Sequence, residues 1–148
     1  MAIFVARAFE LPREELQRLV EESLREGLRF LTRLCHEWET GENRFDRPGE
    51  ALFLAWSADD LVGICGLNRD PNTTDSTVGR VRHLYVRSSH RRLGVGRLLT
   101  SAVVEHARRS FHSVRLRTDS PAGAAFYRAL GFSPEFGSAF THTLRLVG

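Results

Sequence analysis

The densest chemical signal in the chain is Arg91-Arg92-Leu93-Gly94-Val95-Gly96-Arg97, which follows the apolar segment Val81–Val86 and a short loop. A helix that opens at glycines presents N–H groups with no internal partner, at the positive end of its dipole. Glycine also lets a ligand come close to those amides. Together they form a socket for phosphate oxygens, and Arg91, Arg92 and Arg97 add charge around it. A bare G-x-G would read as a plain strand-to-helix turn; three arginines beside it favour an anion site. The loop is not a Walker A sequence, since it lacks G-K-[ST], and Arg97 to Thr100 offers no third glycine for a dinucleotide fingerprint. Tyr127, taken alone, reads as an aromatic packed on the sheet, as does its neighbour Phe126.

These residues need elements to hold them. Ile3–Phe9 has strand character. Leu11-Pro12-Arg13-Glu14 starts a helix, with proline and acids suited to a first turn. Leu16, Leu19, Val20, Leu24, Leu28, Leu31, Cys35 and Trp38 recur at three- and four-residue steps, with Gly27 dividing or kinking the helix. Gly41–Gly49 reads as a loop, Ala51–Trp56 and Leu61–Leu67 as a hairpin, and Asp70–Thr77 as a connection. Val81–Val86 is the next strand, with alternation placing Arg80, Arg82 and Leu84 on one face and His83 on the other. Leu93–Arg109 reads as a helix with Leu98, Leu99, Ala102 and Val103 on its apolar face. Ser113–Asp119 is a strand. Pro121–Leu130 is a short helix capped by Ser120 and ended by Gly131, and Thr141–Val147 a last strand. The order β-α-α-β-β-β-α-β-α-β-β predicts a single α/β domain over residues 1–148 with a mixed sheet.

Composition narrows the function classes. The chain has 148 residues, 42% of them hydrophobic, enough for one buried core. No apolar run approaches the roughly 20 residues of a membrane span, and the N-terminal apolar run is too short for a secretory signal. A soluble cytoplasmic protein is the expectation, with no membrane partner. There is no lysine: every formal base is arginine, and the net charge is +3. Residues 1–79 hold nine arginines against fifteen acids, whereas residues 80–148 hold twelve against three. The two cysteines, Cys35 and Cys65, lie in apolar patterns without C-x-x-C spacing and read as buried thiols. The six histidines show no metal-ligand spacing.

At this point the sequence resembles a known family. Arg91-x-x-Gly94-x-Gly96 matches the (Q/R)-x-x-G-x-(G/A) pyrophosphate loop of the GCN5-related N-acetyltransferases, the GNAT superfamily. Leu84-Tyr85-Val86 is similar to the strand that binds the pantetheine arm in those enzymes. Ala124-Ala125-Phe126-Tyr127-Arg128-Ala129-Leu130-Gly131-Phe132 resembles the family's helix ending in F-Y-x-x-x-G-F. The motifs run from Arg80 to Phe132, in the family's order and at its separation.

The resemblance implies a GNAT-like fold: a central mixed, splayed β-sheet flanked by helices, with acetyl-CoA in the opening. It implies that the backbone of Leu84 and Val86 holds the pantetheine amides and polarises the thioester carbonyl. By the same token, Arg91, Arg92, Leu93, Gly94, Val95, Gly96 and Arg97 would wrap the pyrophosphate, and Tyr127 would protonate the leaving thiolate. The expected reaction is acetyl transfer to a primary amine by direct attack. The amine acceptor is not named by the sequence, and a homodimer is one option that many such folds take.

Two positions depart from the family pattern. Ser120 stands where many members carry an asparagine that touches the CoA arm; it can make one such bond, or only cap its helix. Arg80 and Arg82 occupy the strand positions where many members place a glutamate or histidine that relays the amine's proton, and arginine cannot act as a base at neutral pH. Water, a backbone carbonyl or an acid from the front half would then take that proton. Glu22, Glu26, Glu37 and Glu39 lie in the right region, although most such glutamates form solvated helix faces. Arg80 and Arg82 either clamp a carboxylate on the acceptor or pair with Asp70 or Asp75. Two other classes stay open: a CoA-binding domain without turnover, and a basic nucleic-acid-binding module. The acidic front half and the lack of aromatics among the arginines disfavour the nucleic-acid reading.

Overall fold

Apolar periodicity shapes the first part of the chain. The computed structural model describes residues 2–137 and 139–146. Leu16, Leu19 and Val20 are buried along one face of helix α1 (Arg13–Arg25), and Leu31, Leu34 and Trp38 along one face of α2 (Phe30–Thr40). Gly27, at φ +81°, turns the chain between them, so the stripe belongs to two helices.

Among the described residues, seven strands form one sheet in the order β1-β2-β3-β4-β5-β7-β6. They are β1 (Phe4–Arg7), β2 (Ala51–Ser57), β3 (Asp60–Arg69), β4 (Val78–Val86), β5 (Ser113–Leu116), β6 (Ser133–Pro134) and β7 (His142–Arg145). All neighbours are antiparallel except β4 and β5. A parallel pair needs a crossover, and helix α3 (Val95–Ala107) supplies it, with α4 (Pro121–Ala129) following β5. One buried cluster joins the sheet to α3 through Leu67, Val81, Leu99, Val103 and Val114. The other joins it to α1 and α2 through Leu16, Leu34, Leu52, Ile64 and Tyr85.

Several boundaries differ from the sequence expectation. The helix expected from Leu93 starts at Val95, because Gly94 caps it at φ +86°. Its buried face is Val95, Leu99, Thr100, Val103 and Ala107, whereas Leu98 is 45% exposed. The strand expected to reach Asp119 stops at Leu116. The last strand spans His142–Arg145, and Val147 lies outside the described residues.

The most consequential difference lies in β4. Ile64 faces Tyr85 and Gly66 faces Arg82, so Cys65 stands opposite both His83 and Leu84. His83 takes φ +62° to absorb the extra residue, as a β-bulge requires. The alternation resets there. His83 packs on Phe30 and Phe45 and so joins Arg82 and Tyr85 on the α1–α2 side, while Leu84 and Val86 pack on the α3 side. The expectation that Leu84 shares a face with Arg80 and Arg82 is therefore corrected, and His83 takes that place.

Gly66, directly opposite Arg82, leaves room for Phe45: an added Cβ would sit 2.5 Å from Phe45 Cε1. Phe45 is 2% exposed and at φ +54°, so its ring has little freedom to retreat. Gly66→Ala should lower the unfolding free energy by about 1–3 kcal/mol, read by urea titration. An unchanged midpoint would show that the ring yields freely.

Candidate active site

The site follows from where strand pairing ends. β4 pairs with β5 only at Val78–Ser113, Gly79–Val114 and Arg80–Arg115. Beyond Arg80, β4 runs on to Val86, while β5 ends at Leu116, paired on its other side to His142 of β7. The two strands part, and a cavity of about 1120 Å³ fills the opening. One wall is β4 from Arg80 to Val86; the other is Leu116 to Ser120 with Phe126 and Tyr127 of α4. Arg87 N–H donates to Val62 of β3 at 2.8 Å. Strand alternation then turns the backbone of Val86 and Leu84 the other way, toward the opening.

The start of α3 forms one end of the cavity. The first intrahelical bond is Leu98 N–H to Gly94 C=O at 3.0 Å. The N–H groups of Val95, Gly96 and Arg97 precede it and lack a backbone acceptor among the described residues. Gly94 is needed for its left-handed φ, since nothing lies within 4 Å of an added Cβ; Gly96 sits against Phe126, 3.2 Å from where its Cβ would be. Arg92 and Arg97 line this end, with Arg92 at φ +63°. Leu93 does not line the cavity and is 52% exposed.

Arg91 is held in a network that ties the loop to α1. Its guanidinium makes paired hydrogen bonds to Glu26 at 2.9 and 2.7 Å, its Nε donates to Val86 C=O at 2.9 Å, and it lies over the Tyr85 ring. The Tyr85 hydroxyl is 2.6 Å from Glu26 and 2.7 Å from Glu22, and its single proton goes to one or the other. Glu22 also accepts from Ser88 N–H and hydroxyl. Arg91 and Tyr85 lower the Glu26 carboxyl below its ordinary range. Burial pushes Glu22 up, but the bonds from Ser88 and Tyr85 outweigh it and leave it lowered. Glu22 of α1 and Glu26, which caps the C-terminus of α1, stand one helical turn apart, a spacing that the sequence shares with any solvated helix face.

Across the opening, Ser120 caps α4 by accepting from Gly123 N–H at 3.0 Å, and it also lines the cavity. Tyr127 stacks edge-on to Phe126 and Phe132, with ring centroids at 5.0 and 5.5 Å. Its hydroxyl has no protein hydrogen-bond partner among the described residues. Burial, followed by the proximity of Cys65, raises its pKa, so it keeps its proton. Burial pushes the Cys65 thiol up to about 12 and the half-buried Cys35 thiol up as well.

The α1–α2 side of the cavity is basic. Arg33, Arg80, Arg82 and Arg117 line it together with His83. Burial, then Arg82 and Arg33, push the His83 imidazole down to about 3, so it stays neutral at physiological pH.

A sheet split at its one parallel pair, with an amide socket at the next helix, is the layout of an acyltransferase that draws its acyl group from coenzyme A. The chain belongs to the acetyltransferase (GNAT) family, whose profile matches residues 13–132. A candidate acetyltransferase of Exiguobacterium sp. 255-15 is 26% identical, with a TM-score of 0.87 over 98% of this chain and 94% of that one. The ribosomal-protein-alanine N-acetyltransferase of Brucella melitensis shares the fold at 21% identity and a TM-score of 0.73, over 97% and 99% of the two chains. So does a candidate acetyltransferase of Salmonella typhimurium solved with its cofactor acetyl-CoA, at 15% identity and 0.68, over 99% and 95%. No curated protein matches. Acetyl-CoA is the family's acyl donor, and the partnerless amides of α3 and the cavity beside them fit such a molecule. No helix among the described residues is long and apolar enough to cross a membrane.

The glutamate network carries a pH signature. Because both carboxyls are lowered in the fold, its stabilisation is present above their unfolded value of about 4.3 and is lost as pH falls through the folded values. The double variant Glu22→Gln, Glu26→Gln should therefore lose less stability than the wild type between about pH 5 and pH 3. Parallel stability curves for the two proteins would refute this.

Proposed function

We propose that the chain acetylates a primary amine by direct transfer from acetyl-CoA in a ternary complex. The carrying observation is that one cavity joins the backbone of Leu84 and Val86, the amide socket at Gly94–Arg97 and the protonated hydroxyl of Tyr127. The amides of Val95, Gly96 and Arg97, with Arg92 and Arg97 beside them, bind the pyrophosphate. Arg91 and Glu26 keep that loop in place, and Ser120 and Leu93 serve the helix cap and the loop.

The reaction balances on these groups. The neutral amine nitrogen bonds to the thioester carbon, and the β4 amides stabilise the negative charge gathering on its oxygen. The carbon–sulfur bond breaks, and Tyr127 gives its proton to the departing thiolate. The proton lost by the amine returns to the phenolate. Cys65 and Cys35 are protonated and buried or half-buried, which supports direct attack over an acyl-cysteine route.

Calorimetry with acetyl-CoA, together with thiol release over an amine panel, tests the reading. Saturable one-to-one binding is expected. Tyr127→Phe should lower kcat by about 100-fold while leaving acetyl-CoA affinity within about twofold. Absence of binding at millimolar acetyl-CoA would end the proposal, and an unaltered rate in the variant would reduce Tyr127 to a packing residue.

Proton removal has its own signature. Glu22 and Glu26 are held as weak bases, and His83 is neutral but barely basic. With none of these three groups a base near neutrality, kcat/KM should climb with pH up to the pKa of the acceptor itself, about 10.4 for an alkyl amine, unless His90, which also lines the cavity, takes the proton. A plateau beginning between about pH 6 and pH 7 would instead reveal an enzymic base.

A further inference from the structure

The α1–α2 side of the cavity holds more positive charge than the protein neutralises. Asp70, whose side chain is fully buried, is the carboxylate nearest to Arg80, and it lies 3.9 Å from Arg80 and 3.8 Å from Arg115. It therefore serves two guanidiniums, each at the limit of contact, and its Oδ1 also accepts from Asn72. Among the described residues Arg82 meets no carboxylate: its hydrogen bond goes to the neutral amide oxygen of Asn68, at 3.4 Å. Among the described residues Arg117 is paired only with Asp119, itself largely exposed.

The hydrogen-bond accounting agrees. Arg80 Nη1 and both ring nitrogens of His83 are buried without a partner among the described residues, and both residues line the cavity. Buried donors of this kind are satisfied in functional proteins by water or by ligand. Arg80 is held as a cation in spite of burial and of its neighbours Arg82 and Arg117, all of which disfavour its charge. Guanidinium is the group best matched to a planar oxyanion.

Position separates this charge from the pyrophosphate socket. Arg80 stands at the apex where β4 and β5 part, and the bulge brings His83 onto the α1–α2 face that Arg80 and Arg82 already share by alternation. Leu84 and Val86 pack on the opposite side, next to α3.

We infer that Arg80 and Arg82, with a donor from His83, form an acceptor subsite for an oxyanion, so that the amine acetylated here is borne by a small molecule with its own carboxylate or phosphate. The inference rests on the acetyl-transfer reading above. Arg82 is the specificity-determining contact, and Arg80 closes the subsite at its apex.

Matched amines test it. Glycine against glycinamide, and β-alanine against propylamine, differ in the carboxylate; phosphoethanolamine against ethanolamine differs in the phosphate. Thiol release from acetyl-CoA is measured on the wild type, on Arg82→Gln and on Arg80→Lys, and acetyl-CoA affinity is followed in parallel. Binding of N-acetylglycine and N-acetylglycinamide is measured by calorimetry without turnover. The anionic member of at least one pair should be favoured by about tenfold or more in kcat/KM. Arg82→Gln should remove most of that preference through KM, with acetyl-CoA affinity held within about twofold, and Arg80→Lys should retain part of it. Equal rates and equal binding for every pair would overturn the inference, as would a preference untouched by Arg82→Gln or a parallel loss of acetyl-CoA affinity. If no amine releases thiol yet N-acetylglycine still binds in preference to its amide, acetyl transfer fails and the oxyanion subsite stands.

Discussion

The end of the β4–β5 pairing governs the rest of the molecule. Two parallel strands share three residue pairs and then diverge. One consequence is a cavity through the middle of the sheet rather than on its surface. Another is a stretch of β4 backbone that turns toward the opening, where a bound amide or carbonyl can replace the missing strand. The divergence has local causes. β5 is short because Ser120 and Pro121 begin a helix soon after it, and β7 holds Leu116 from the far side. Arg80, Asp70 and Arg115 crowd the point of separation.

The bulge at His83 sorts the cavity into two halves. One inserted residue exchanges the faces of every side chain after it. Leu84 and Val86 thereby meet α3 and the amide socket, while His83 and Tyr85 meet α1 and α2. The proposed donor and acceptor chemistries would then lie on opposite sides of a single strand. The two halves are also linked mechanically, because Glu26 at the C-terminal cap of α1 grips Arg91 in the loop before α3 and Tyr85 lies beneath both.

Much of this was legible in the residues. The element order as far as α4, the glycine-rich loop, the capping of α4 by Ser120 and the membership signalled by the two motifs all follow from short-range pattern. The charge asymmetry between the halves was visible too, but its meaning was not. Glu22 and Glu26 looked like members of a solvated helix face, and Arg91 looked like a free cation for the loop. The bonds between Glu26 and Arg91 join residues 65 positions apart.

What the sequence determined by itself is therefore what depends on neighbours along the chain. Helical stripes come from spacing, turns from glycine and proline, and a phosphate socket from the amides that any helix start leaves unpaired. The tertiary structure alone decided where β5 stops pairing, which side His83 and Leu84 face, and which carboxylate each arginine meets. Strand register and charge pairing depend on contacts between segments distant in sequence, and a single bulge reverses a face that alternation alone would assign.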